Sequence, residues 1–235
     1  DLPITTDSVS ASISKSGCIR ISGSDIMIIL DYKKKNHNQI IHSCVRALKE
    51  GKAIVYPTDT SYGLAVDATN IKAIKKLYKI KGRNFNKPVH VVVPSAAYAK
   101  KVVRWDDIAS KLAQKFWPGV LTLVLPLKVK RKGLRMLSAR TKFMGLRMPQ
   151  NIIALDLARK LGKPITATSA NKSGQADCYS AEAVIRQFQK AKIKPDIIIN
   201  AGKMPRRKPS TVVKIDAGQV SILRQGPIRI SVKNS

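Results

Sequence analysis

The sequence predicts a single α/β domain with a twisted sheet, mixed but largely parallel, flanked by helices. Three observations carry that expectation. Short apolar runs of strand length alternate with stretches whose apolar residues recur at helical spacing, the pattern of strand–helix–strand units. The 235 residues are 44% apolar, which is enough for a sizeable core. No internal repeat and no convincing linker divides the chain. The expected organisation is an arm and first strand over 1–37, one folded domain over 38–230 and a tail over 231–235.

Taken in order, residues 1–24 are rich in Ser, Thr and Ile and read as a loose arm ending in a short strand. Ile26–Leu30 is a continuous apolar run of strand length. Lys33–Lys35 reads as a solvated connector. From Asn38, the residues Ile40, Ile41, Cys44, Val45 and Leu48 recur at helical spacing, and Gly51 supplies a stop. Ala53–Tyr56 arrives as a buried strand and breaks at Pro57, which has no N–H for a ladder. Thr58-Asp59-Thr60-Ser61-Tyr62-Gly63-Leu64 then sets hydroxyls and one carboxylate just past a strand end. Loops in that position form ligand crevices in α/β sheets, and Gly63 lets the backbone turn or approach a ligand closely. The same residue types equally suit a capped turn leading into a helix.

Asn70 caps a helix with Ile71, Ile74, Leu77 and Tyr78 on its apolar face, running out at Lys81-Gly82-Arg83. Val89–Val93 is a strand that Pro94 ends. Residues 95–103 and 107–116 read as helices, and Pro118-Gly119 turns into a strand over Leu121–Leu125. Helix 151–161, strand 164–168, helix 180–191 and strand 196–200 continue the alternation. Two β-rich stretches, 211–215 and 220–224, close the domain.

Composition bounds the partners. Lys and Arg total 44 against 14 Asp and Glu, a formal net charge of +30, which points to an anionic partner: nucleotide, RNA, or both. A uniformly basic proteome gives the same number. Aromatic residues are 5% of the chain, too few for a base-stacking surface. Cys18, Cys44 and Cys178 are odd in number and lack C-x-x-C spacing, so a reducing cytoplasm fits better than a disulfide framework or a structural zinc. His37, His42 and His90 form no H-E-x-x-H. No apolar run approaches a membrane span, and no signal pattern opens the sequence. The sequence begins at Asp1 rather than Met, which leaves residues upstream an open question.

Two clusters of basic residues stand out. Lys128, Lys130, Arg131, Lys132, Arg135, Arg140, Lys142 and Arg147 fall within one stretch that holds no acid, and Lys203–Lys208 is a second run. Each reads either as a solvated loop or as a phosphate-facing flap or RNA contact, with salt-dependent affinity in the second case.

Several polar stretches lie at expected element ends. Lys81-Gly82-Arg83 sets two cations at a helix terminus, suited to a polyphosphate. Thr168-Ser169-Ala170-Asn171-Lys172-Ser173-Gly174 follows a strand as a polar loop, without the Walker or dinucleotide-binding glycine patterns. Leu146-Arg147-Met148-Pro149 places an Arg before a turn, Pro209-Ser210-Thr211 opens a strand, and Arg224 ends one before Gly226-Pro227. Singly, each is an ordinary turn or surface feature.

Read together in this order, and with Phe116-Trp117-Pro118-Gly119-Val120-Leu121-Thr122, they resemble the YrdC-like family of threonylcarbamoyl-AMP synthases over about residues 38–230. The chain ends before the additional C-terminal domain of longer members, so the resemblance is to the short form. It implies a basic central cleft and a catalytic domain. The implied reaction takes ATP, with Mg²⁺, L-threonine and bicarbonate to threonylcarbamoyl-AMP and pyrophosphate. The product would feed a downstream tRNA threonylcarbamoyl-transferase complex, and direct contact with tRNA or double-stranded RNA is a further expectation. Carried over by motif, Lys81 and Arg83 become catalytic and, with Ser169, Asn171 and Arg224, ATP-binding. Thr60, Tyr62, Arg147 and Ser210 become the threonine pocket. His90 falls near a family histidine but two residues early, which leaves its role open. Asp59 either steers the amine or caps the turn. The contrasting reading is a non-catalytic RNA-binding module using the same basic cleft.

Overall fold

The computed structural model describes residues 27–129 and 131–230, together with the backbone of two short strands before them. The strands are β1 (Ser12–Ile13), β2 (Cys18–Arg20), β3 (Ile28–Asp31), β4 (Ile54–Pro57), β5 (Tyr62–Ala65), β6 (His90–Val92), β7 (Leu121–Pro126), β8 (Phe143–Arg147), β9 (Ile165–Ser169), β10 (Ile197–Asn200), β11 (Thr211–Asp216) and β12 (Gln219–Arg224). The helices are α1 (His37–Lys49), α2 (Ile71–Lys81), α3 (Ala96–Val102), α4 (Asp107–Phe116), α5 (Lys132–Leu137), α6 (Ile152–Leu161) and α7 (Ala181–Phe188), with a 3-10 turn over Lys34–Asn36. The expected arm outside β1 and β2 and the expected tail over 231–235 lie outside the described residues.

One mixed sheet runs in the order β1-β2-β3-β10-β4-β5-β9-β6-β8-β7-β11-β12. A mixed sheet flanked by helices is the expected architecture, but the sheet is not largely parallel: among the described strands four neighbouring pairs are parallel and seven antiparallel. Two strands that the sequence hid account for three of the seven antiparallel pairs. β5 returns directly from β4 and pairs with it and β9, while β8 returns from β7. β5 follows β4 by a short turn, which makes the pair antiparallel, whereas β8 runs back beside β7 after the segment that holds α5. Gly63 accordingly sits in a strand rather than a turn. A Cβ there would lie 2.9 Å from the Tyr56 ring, so the glycine admits that ring.

Helices cover both faces. β4 is buried along its length and alternates between two cores, with Val55 in one and Ile54 and Tyr56 in the other. The second core is closed by α1 and α6, and the first by α2, α4, α5 and α7. Part of the basic run over 128–142 is therefore structural: α5 buries Gly133, Leu134 and Leu137.

The end of α2 sends two neighbouring cations to different places. Asn70 Oδ1 accepts from Ala73 N at the start of the helix, and Gly82 closes it with a left-handed φ of +57°. That conformation suits glycine because it lacks a Cβ. It turns the chain so that Lys81 stays buried while Arg83, one residue past the stop, reaches a cavity wall.

Candidate functional site

A cavity of about 530 Å³ opens over the central strands, at the ends of β4, β8 and β9 and beside the turn after α2. Its wall carries three arginines, Arg83, Arg147 and Arg224, and one aspartate, Asp177.

The loop after β4 is held by Thr58. Its Oγ1 accepts the N–H of Thr60 at 3.1 Å and of Ser61 at 3.3 Å and donates to Ser61 O at 2.7 Å. This turn fixes Thr60 on the wall. Tyr62, fully buried, donates its hydroxyl to Gly202 O at 2.8 Å and accepts from Ala201 N at 3.0 Å, tying the loop that leads to Ser210 against the cavity. On the far side Ser210 Oγ lies 3.0 Å from Thr122 Oγ1, and Arg224 donates from Nε to Ser210 O (3.0 Å) and from Nη2 to Ser210 Oγ (3.1 Å).

Arg147 ends β8 and faces Thr122 of β7 and Val92 of β6 in register. Its Nη2 pairs with Asp59 Oδ1, and Asp59 Oδ2 also accepts from Gln150 N at 3.2 Å. Asp59 thus anchors Arg147, which is neither of the two roles expected for it. Nε of Arg147 and Nε of Arg83 are buried and have no hydrogen-bond partner among the described residues, though Arg83 Nη2 reaches Pro88 O at 3.0 Å. Both side chains line the cavity, and guanidinium groups on a cavity wall suit an anion.

Lys81 and Asn171 are placed differently from the others. Lys81 Nζ donates to Ser169 O at 2.6 Å, Asn171 O at 2.9 Å and Asn171 Oδ1 at 2.9 Å, which uses all three of its protons. Ser169 Oγ donates to the same Oδ1 at 2.7 Å, and Ser173 N returns a bond to Lys81 O at 2.8 Å. The side chain stands behind Ser169 and clamps the loop after β9. Burial, with Arg83 adding to it, lowers its pKa to about 8 against the opposing pull of Asp177 and Cys178.

Of the residues that the sequence singles out, Thr60, Tyr62, Arg83, Arg147, Ser169, Ser210 and Arg224 line this one cavity, and Lys81 and Asn171 support it from behind. Among the described residues of the basic run over 128–142, none lines it. His90 does, as do Thr122 and Asp177, which sequence reasoning missed. Their one signal is position: Thr122 pairs with Arg147 across β7 and β8, and Asp177 follows the Ser169–Gly174 loop. His90 is held neutral, its pKa pushed down to about 4 by burial and then by Arg224, Arg147 and Arg83.

As to a metal, no group of three or more His, Cys, Asp or Glu able to hold one exists among the described residues. Asp177 alone offers a carboxylate on the wall. That set fits a magnesium ion carried in on nucleotide phosphates better than one resident in the protein. No helix among the described residues is long and apolar enough to cross a membrane.

Comparison with known proteins gives a consistent picture. A model of the Sua5–YciO–YrdC family, described as "Telomere recombination", matches residues 46–226. A protein of Methanocaldococcus jannaschii is 32% identical over 205 residues, covering 87% of this chain and 94% of its own length. The "Threonylcarbamoyl-AMP synthase" of Mus musculus is 31% identical over 203 residues, 83% of this chain and 69% of that protein. Among solved structures, Pyrococcus abyssi Sua5 complexed with L-threonine superposes with a TM-score of 0.78 at 31% identity, over 85% of this chain and 58% of that one. Escherichia coli YciO superposes with a TM-score of 0.72 at 25% identity, over 85% and 94%. The chain thus spans little more than half of the Pyrococcus protein but nearly all of YciO.

Proposed function

The chain belongs to the Sua5–YciO–YrdC family, and on that premise we propose that it is an L-threonylcarbamoyladenylate synthase, a nucleotidyltransferase. In this reading threonine, bicarbonate and ATP give threonylcarbamoyl-AMP, pyrophosphate and water, and a tRNA threonylcarbamoyl-transferase complex consumes the product. The observation that carries it is that three arginines, Arg83, Arg147 and Arg224, line the wall of one cavity with a single carboxylate among them.

The chemistry explains the side chains. Threonine's amine and bicarbonate condense to a carbamate with loss of water, and a carbamate oxygen then attacks the α-phosphorus while pyrophosphate leaves. The substrate brings the nucleophile, so the protein's part is to position two anions and to stabilise charge on the leaving group. Arg83 would face the phosphates, with Ser169 beside it and Lys81 and Asn171 fixing the loop that carries Ser169. Arg147 would hold the threonine carboxylate, with Thr60, Tyr62 and Ser210 forming the rest of that pocket. Arg224, bonded to Ser210, would join the nucleotide side to the amino-acid side. Magnesium would arrive on ATP, shield the phosphates and draw at most one protein carboxylate, Asp177.

The non-catalytic RNA module is less well supported. The relatives carry the synthase name, and the basic run over 128–142 is partly a packed helix. Mass spectrometry of the products from ATP, L-threonine and ¹³C-bicarbonate tests the proposal. A threonine-dependent adenylate carrying the label is expected; ATP consumption indifferent to threonine would reject it.

A further inference from the structure

We propose that His90 is the residue that seats bicarbonate, midway between the phosphate-facing and the amino-acid-facing arginines; this rests on the synthase reading of the cavity. Placement is the first argument. Pro88, whose carbonyl accepts from Arg83, lies two residues before His90, and Val92, in register with Arg147, lies two residues after it. Side chains two apart on a strand share a face. His90, the first residue of β6, lies in the chain between the Pro88 carbonyl that takes Arg83 and the register partner of Arg147, and Pro88, His90 and Val92 all line the cavity. The bicarbonate carbon must bond to the threonine amine, and one of its oxygens must reach the α-phosphorus. The third reactant thus belongs where these two sides meet.

The ring is free and held in place. A Cβ on Gly145 would lie 2.7 Å from His90 Cγ and 2.9 Å from Nε2, so the imidazole rests directly on the glycine backbone of β8. Its register partner on β9 is Ala167, another small residue. Among the described residues neither ring nitrogen has a hydrogen-bond partner. By contrast, the two tyrosines on the wall already donate their hydroxyl hydrogen bonds, Tyr56 to Thr166 O at 3.1 Å and Tyr62 to Gly202 O.

Charge decides what such a ring can hold. Arg224, Arg147 and Arg83 face His90 and, with burial, keep it uncharged, and Asp177 is the one carboxylate on the wall. A neutral imidazole has one donor and one acceptor nitrogen. The two nitrogens point away from each other, so one bicarbonate meets only one of them: the acceptor nitrogen takes its O–H, while the arginines on the wall take its anionic oxygens. The arginines attract any small anion, whereas the ring selects one that still carries a proton.

Two measurements on the whole chain test this. Ring ¹⁵N NMR of the protein, whose three histidines are resolved by comparison with a His90→Gln variant, is recorded while bicarbonate is added with L-threonine and a non-hydrolysable ATP analogue present. The His90 signals are expected to move with bicarbonate and not with chloride at equal ionic strength. In steady-state kinetics His90→Leu should raise KM for bicarbonate about tenfold, as expected for the loss of one hydrogen bond, with calorimetric affinities for threonine and the analogue unchanged. His90→Gln, which retains a donor and an acceptor, should recover most of that loss. Unmoved ring signals, or a bicarbonate KM within about twofold of the parent in His90→Leu, overturn the proposal. Ring signals that respond to bicarbonate in a protein that forms no adenylate would keep the seat and reject the synthase reading instead.

Discussion

The carboxylate of Asp59 and the guanidinium of Arg147, 88 residues apart in sequence and both buried, form an ion pair beside the cavity. Removing one partner of a buried pair leaves the other charge uncompensated, at about 3–5 kcal/mol. Asp59→Ala should therefore lower the urea unfolding free energy by about 3 kcal/mol and weaken threonine binding, because Arg147 loses its orientation. An unfolding midpoint equal to the parent's would show that the pair contributes nothing.

Lys81 and Arg83 separate two kinds of contribution that the sequence ran together. Arg83→Ala should cut kcat about 100- to 1000-fold while changing stability by less than about 1 kcal/mol, since among the described residues its side chain bonds to Pro88 O alone. Lys81→Met should lower stability as well as rate, because Ser169 O, Asn171 O and Asn171 Oδ1 each lose a charged donor that Met cannot replace. Parallel thermal melts and pyrophosphate-release assays distinguish the two. Equal stability losses in both variants would contradict the division.

The lowered pKa of Lys81 has a pH signature. Between about 8 and its ordinary 10.5 the unfolded chain keeps a proton that the native protein releases, so the Lys81 contribution makes stability rise with pH across that window. Activity should move oppositely: kcat/KM for ATP falls as pH rises through about 8, when the clamp loses its charge and one donor. Chemical denaturation and initial rates from about pH 7 to 10 give both slopes.

His90 acts at the other end of the scale. Its native pKa of about 4 lies below the ordinary 6.5, so stability associated with the neutral ring is complete above about 6.5 and is lost as pH falls toward 4. His90→Gln should flatten the melting temperature between about pH 4.5 and 6.5 relative to the parent. An unchanged acid slope would place the titration elsewhere.

Tyr62 tests the wall. Tyr62→Phe removes the hydroxyl that serves Gly202 O and Ala201 N, at a cost of about 1–3 kcal/mol, and loosens the segment leading to Ser210. KM for threonine should rise more than kcat falls.

Much of this arrangement was legible because it rests on local chemistry. Asn70 before Ile71 and Gly82 after Lys81 mark α2 through capping alone, and the apolar spacing of Ile40 to Leu48 marks α1. The ordered motifs located the cavity wall. What stayed hidden depends on partners distant in sequence. β5 begins in a polar motif and contains Gly63, and β8 emerges from a basic run, so neither looks like a strand until its neighbours bury it. Both add antiparallel neighbours to a sheet whose expected majority was parallel. Lys81 looked like a phosphate ligand because nothing in Lys81-Gly82-Arg83 shows that three oxygens some 90 residues on will surround its ammonium.

The central claim is that one cavity brings an amino-acid carboxylate and a triphosphate close enough to be joined. A crystal structure of the chain with L-threonine and a non-hydrolysable ATP analogue measures this directly. The account predicts the threonine carboxylate on Arg147, the phosphates on Arg83, and the amine and the α-phosphorus facing each other across His90. Threonine and nucleotide bound in separate places, or either one away from both arginines, would contradict it.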